Sequence, residues 1–139
     1  MSASDNRAVV QAWADAISSG DVDSALTHLA PDFVGHFSSM PEPVQGPQGF
    51  KGMYEFFIKP SFPDQKITIE REVNPGGDKL ALQVSWTATH TGAFLGVPPT
   101  GRTIHVPGTG IFRVANGKIA EEWMLEDFLG IYQQITAQG

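Results

Sequence analysis

The chain has no cysteine, which excludes disulfides, thiolate metal sites and a cysteine nucleophile. Charge is sparse as well. Charged residues make up 17% of 139, against roughly 25% in an average soluble protein. The formal net charge is −6. Nucleic acid and anionic membrane surfaces both demand basic patches that displace counterions, so neither is expected as a partner. No apolar run approaches the roughly 20 residues needed to span a bilayer. "MSASDNRAVV" lacks a basic flank leading into an apolar stretch, so the expected compartment is cytoplasmic. The four histidines show neither H-x-H nor HExxH spacing, and no metal site is expected.

What the chain does have is apolar and aromatic. Residues 1–139 read as a single domain, 41% hydrophobic with three Trp and nine Phe. A chain of this length buries roughly 68–70% of its unfolded surface and folds without staples. Many aromatics with few charges point to an apolar pocket or a subunit interface.

Periodicity divides the chain in two. Ala8, Val9, Ala12, Trp13, Ala16 and Ile17 recur at helical spacing over residues 4–19, with Ser4 or Asp5 as cap and Gly20 as stop. Asp21 caps a shorter helix built on Val22, Ala25, Leu26 and Leu29, which Pro31 ends. "DFVGHF" reads as extended and "SSMPEPVQGPQG" as loop. A third helix runs from about Gln48 on Phe50, Met53, Tyr54 and Phe57, closed by Pro60. The period then changes to two: Ile67, Ile69 and Val73 mark one strand, and Leu80, Leu82, Val84 and Trp86 the next. A third strand spans Arg102 to Val114, with a bend expected at Pro107, Gly108 and Gly110. Asn116-Gly117 predicts a type I′ hairpin into a last strand from Lys118 to about Asp127. "FLGIYQQI" then coils into a helical turn. Helices followed by a curved, mostly antiparallel sheet make an α+β cup, and the hollow of the cup is the default ligand site.

Strand alternation assigns side chains to that hollow. If the last strand is regular, Ile119, Glu121, Trp123, Leu125 and Asp127 face inward, with Glu122 and Glu126 outward. On the earlier strand His90 ends the apolar row. A carboxylate in an apolar pocket has its charged form disfavoured, and its pKa rises towards the range useful for proton transfer. Asp127 is therefore a candidate acid/base. It also stands just before "FLGIYQQI", where it could simply cap a helix. His90 is a candidate polar group of the pocket. Glu121 is expected to pair with Arg102 or Arg113, His105 to face outward, and His28 to lie on a helix surface. Trp13, Tyr54, Trp86 and Trp123 are candidate walls for a planar ligand. "GVPPTGRT" imitates a phosphate loop, but its prolines remove N–H donors and a strand follows, so nucleotide binding is rejected. The segment is expected to be a rigid loop at the rim, with Phe94 and Leu95 as a lid or subunit contact.

"THTGAFLGVPPTGR", "R-x-x-x-GKI-x-E-x-W", the Asp four residues after that Trp, and "LG-x-x-QQ" together resemble the SnoaL-like polyketide cyclases of the nuclear-transport-factor-2-like superfamily. "ADAISSGDVDSALTHLAPDFVGH" is similar to the family's helical opening. The resemblance implies a cone-shaped α+β barrel: three N-terminal helices on a strongly curved mixed, mostly antiparallel sheet around a cavity. It implies a homo-oligomer, dimer or tetramer, and a hydrophobic, aromatic or polycyclic small-molecule substrate. It further implies a cofactor-free intramolecular aldol ring closure with Asp127 as acid/base, or a related carbon-acid isomerisation. His36, at a position where relatives often carry His, would contact a substrate oxygen or pair with Asp127; the other reading is a surface or core His with a backbone partner. The alternatives are a cofactor-free hydroxylase of an aromatic polyketide and a noncatalytic binding or assembly module.

Overall fold

The computed structural model describes residues 3–137. Helix α1 (Ala3–Ser18) turns its apolar stripe of Val10, Trp13, Ala14 and Ile17 into the core. It begins at Ala3, so Asp5 stands inside the first turn instead of capping it. Gly20, at φ +82°, reverses the chain where a side chain would be strained. Asp21 caps α2 (Val22–Leu26) by accepting from the Ser24 N–H. That helix is shorter than its apolar spacing predicts, because Leu29 already belongs to strand β1 (Leu29–Phe37). The Pro-rich stretch is not all loop. It holds the two-residue β2 (Val44–Gln45) and the start of α3 (Gly46–Met53), where Pro47 is tolerated in the first turn. The helix continues as one π-helical turn, Tyr54–Ile58.

Four long strands follow: β3 (Lys66–Val73), β4 (Lys79–Thr89), β5 (Thr103–Ala115) and β6 (Lys118–Glu126). Helix α4 (Phe128–Thr136) ends the fold. The six strands form one mixed sheet in the order β2-β1-β6-β5-β4-β3. Only the β1–β6 pair is parallel. β2 and β3 are its two edges, so the sheet is a cup and not a closed barrel. Helices α1 and α3 cover the concave side, and Trp13 meets Phe50 and Phe112 there with ring centroids 5.9 and 5.8 Å apart.

Two details of the sheet decide what the cup contains. The first is the hairpin. Asn116 and Gly117 both take positive φ, 53° and 74°, as the sequence predicts for a type I′ turn. Val114 then pairs with Ile119, but Arg113 pairs with Glu121, leaving Ala120 as an extra residue. This bulge turns Ile119 and Ala120 both into the core and reverses the alternation of everything after them. The second is β5, which runs past Pro107 against β4 without a register shift. Pairing with β6 starts only at Gly108, so the proline's missing N–H falls beyond that ladder. The irregularity expected at Pro107 lies instead at the opposite end of the strand.

Gly108 and Gly110 share the inner face of β5 with Val106 and Phe112. A Cβ on Gly110 would stand 2.6 Å from Met124 Cε and 3.0 Å from the Trp123 carbonyl oxygen. One on Gly108 would stand 3.3 Å from Glu126 Cγ. The two glycines thus make room for the side chains of Met124 and Glu126 to lie over β5. A hollow remains where the sheet would otherwise pack solid.

Candidate active site

The inner face of β6 carries Glu122, Met124 and Glu126, the opposite set from the one that unbroken alternation predicts. They line a cavity of about 70 Å³ together with Trp13 and Ile17 from α1, Phe50, Met53, Tyr54, Phe57 and Ile58 from α3 and its π-turn, and Trp86 from β4. Phe37, Gln65 and Phe128 complete much of the wall. No Lys, Arg or His is among the lining residues. Pockets for small molecules usually measure roughly 300–1,000 Å³, so a sizeable ligand enters only as side chains move aside. Met53, Met124 and the Phe57 ring, which packs edge-on to Phe128 at 5.6 Å, are the adaptable parts of the wall.

Two carboxyl groups face this apolar space. Glu122 is 1% exposed, and its Oε1 is buried without a partner among the protein's own groups. Burial pushes its pKa up to about 8, with the neighbouring Glu126 charge adding to the effect. At neutral pH Glu122 is therefore mostly a neutral carboxylic acid. Glu126 differs. Burial raises its pKa too, but the Trp86 Nε1–H donates to its Oε2 at 2.5 Å, and that bond opposes the rise by favouring the carboxylate. Four residues of strand separate the pair by roughly 13 Å along the backbone. The Tyr54 phenol, buried in the same wall, is also raised above its ordinary value, first by burial and then by the Glu55 charge.

Asp127 lies elsewhere. It is the N-cap of α4, its Oδ1 accepting the Gly130 N–H at 2.8 Å, and the residue is exposed on the outer side of the sheet. Asp127 thus fills the capping role that the sequence offers, and it does not line the aromatic cavity. The bulge at Ala120 also carries Glu121 and Trp123 to the outer face. There His36 Nε2 meets Glu121 Oε2 at 2.7 Å, and the His36 ring stacks on Trp123 at 5.4 Å. Arg113 approaches the other Glu121 oxygen at 3.4 Å, so the predicted Glu121–Arg113 pair exists, but outside the cup. His36 therefore reaches neither the cavity nor Asp127.

His90 does point inward and is fully buried, but it lies beyond the end of β4, past the cavity. It accepts the Thr100 N–H on Nδ1 at 3.2 Å and packs on Phe62 at 5.7 Å. This contact anchors the 91–101 loop. Phe94 is buried behind the cavity wall, 5.4 Å from Phe57 and 5.0 Å from Phe62, so it backs the wall without lining it. Of the residues predicted for the site, Trp13, Tyr54 and Trp86 meet in the cavity. Asp127, His36, His90, Phe94 and Trp123 do not. The two glutamates were missed, although Gly108 and Gly110 on the adjacent strand are a signal that β6 places something large there.

An aromatic cavity inside an α+β cup, faced by two buried carboxyl groups, is the default candidate for a small-molecule site. The chain belongs to the SnoaL-like polyketide cyclase family, whose model matches residues 7–135. It is similar to the aklanonic acid methyl ester cyclase DnrD of Streptomyces peucetius, 24% identical over 129 residues, covering 91% of this chain and 88% of that one. Among solved structures it is similar to the SnoaL-like protein of Jannaschia sp. CCS1, with a TM-score of 0.83, 25% identity, and 98% and 94% of the two chains covered. IdmH of Streptomyces antibioticus superposes with a TM-score of 0.82 at 29% identity, over 94% and 97% of the two chains. No helix among the described residues is long and apolar enough to cross a membrane, and no cluster of His, Asp and Glu among them is arranged to hold a metal ion.

Proposed function

We propose that the protein closes a ring in a hydrophobic carbonyl compound by an intramolecular aldol reaction, with Glu126 as base and Glu122 as acid. The observation that carries this reading is the pair of unlike carboxyls in one aromatic cavity: Glu126 held by an indole N–H, and Glu122 buried without a partner. Two acids with different environments divide the roles of base and acid between them. Glu126 removes the proton between two carbonyls. The enolate carbon attacks a second carbonyl of the same molecule, so a carbon–carbon bond forms as a C=O π bond breaks. The new alkoxide takes the proton of Glu122. The product is an isomer of the substrate, and the proton left on Glu126 returns to Glu122 through solvent. No oxidant or cofactor enters this scheme.

The test is deuterium incorporation between the carbonyls of aryl β-keto esters in D2O. Wild type accelerates exchange over buffer. Glu126→Gln loses roughly 10²–10⁴-fold of that acceleration, the usual range for a general base, while Asp127→Asn retains it. Equal rates for wild type and Glu126→Gln would refute the assignment.

The same proposal includes self-association through the outer face of the sheet. Leu125 and Ile111 stand exposed there, 68% and 43%, beside the Trp123–His36 stack. Leu125→Glu is expected to shift the species seen by light scattering to monomer, and an unaltered mass would contradict it.

A further inference from the structure

Three indole rings occupy this fold, and they use their N–H groups differently. The Trp86 N–H is committed to Glu126, and Trp123 lies on the outer face. Trp13 is the distinct one. It is 7% exposed, its ring is fixed against Phe50 and Phe112, and its Nε1–H is buried with no acceptor among the protein's own groups. Burying a donor unpaired costs roughly 1–3 kcal/mol, so natural folds rarely leave one without cause.

Its neighbourhood indicates that cause. Phe112, on which the Trp13 ring rests, stands directly across the β5–β6 ladder from Glu122. Trp13 and Glu122 both line the cavity, and each brings a buried polar atom with no protein partner. An N–H can only donate, and a carboxyl in its acid form donates through its hydroxyl. A ligand oxygen with two lone pairs answers both.

We propose that Trp13 Nε1–H and the Glu122 carboxyl form a two-donor seat for one carbonyl oxygen of the ligand, with Trp13 setting its position. The seat deepens the aldol reading: the oxygen it holds is that of the attacked carbonyl, which gains charge as the new bond forms. A donor on a ring held by Phe50 and Phe112 needs little reorganisation during the reaction. The ligand class it selects is a neutral aryl or alicyclic ketone or ester, because no basic side chain lines the cavity to receive an anion.

The experiment compares acetophenone with ethylbenzene, nearly equal in shape but differing in the carbonyl. Both are titrated into ¹⁵N-labelled protein while the three indole N–H signals are followed. The expected result is that acetophenone moves the Trp13 signal downfield and binds about 5- to 30-fold more tightly than ethylbenzene. In Trp13→Phe, which keeps an aromatic ring but loses the donor, the ratio of the two affinities falls to near one. A Trp13 signal indifferent to acetophenone, equal affinities in wild type, or no binding of either probe would overturn the proposal. The wild-type titration needs no variant to fold, and it reads binding and not turnover. Failure of Glu126→Gln to affect exchange would refute the acid/base assignment while leaving this result standing.

Discussion

Residues 121–127 put four acids on one short piece of chain, and the two faces of the strand treat them oppositely. Outside, Glu121 is paired with His36 and Arg113, and Asp127 is occupied by the Gly130 N–H of the helix it caps. Inside, Glu126 has one indole donor and Glu122 has no protein partner at its Oε1. The outer acids both have partners in the architecture. The inner ones are costly to the fold, and groups of this kind cluster at functional sites. Residue type says nothing of this division. Facing decides it, and the bulge at Ala120 decides facing.

The largest expected effect separates the two faces by function. Glu126→Gln should remove roughly 10²–10⁴-fold of carbon-acid exchange, equivalent to about 3–5 kcal/mol of transition-state stabilisation. Asp127→Asn, next in sequence but on the other face, should leave exchange near wild type. Loss in both variants would mean that the inner and outer acids are not functionally distinct.

An intermediate effect concerns pH. In the fold Glu122 holds its proton up to about 8, against an ordinary value of 4.5. Below the ordinary value folded and unfolded chains are both protonated, and well above 8 neither is. Between these limits only the folded chain keeps the proton, so stability is greatest on the acid side of the window and is lost as pH rises through it. Glu126, also raised, acts in the same direction. Urea unfolding of wild type should therefore show a decline on the order of a few kcal/mol from pH 5 to pH 8.5. Glu122→Gln, which cannot ionise, should flatten most of that slope. A wild-type curve that rises over this range would contradict a protonated Glu122.

The smallest effect belongs to the outer face. Asp127→Ala removes the cap of α4 and should cost about 1 kcal/mol in urea unfolding, within the usual 0.5–2 kcal/mol of such caps. A cost well above that would show that Asp127 does more for the fold than receive one N–H.

Most of the architecture was legible because it is written in periodicity. The stripe of Trp13 and Ile17, the alternation of Leu80 to Trp86 and the Asn116-Gly117 turn each name their element directly. A mixed sheet follows from the family resemblance, but that β1 and β6 form its parallel pair was not legible, since partner choice between distant strands leaves no local trace. Neither was the cup's open edge. The candidate cavity was half legible: indole and phenol walls follow from apolar spacing, and Trp13, Tyr54 and Trp86 line it. The acids were not, because one inserted residue reverses every later side chain and Ala120 carries no turn signal. Trp123 and Leu125 made the reversed face look like the buried one. His90 lies outside the cavity for a different reason. Its inward direction was right, but it stands too far along the strand to reach the hollow.

The central claim is that Glu122 sits inside the cup as a neutral acid. A ¹³C-detected titration of the glutamate carboxyls tests it most directly, with the Glu122 signal assigned by its loss in Glu122→Gln. The expected midpoint for that one resonance is about 8. A midpoint in the ordinary carboxylate range would place Glu122 in water and contradict the claim.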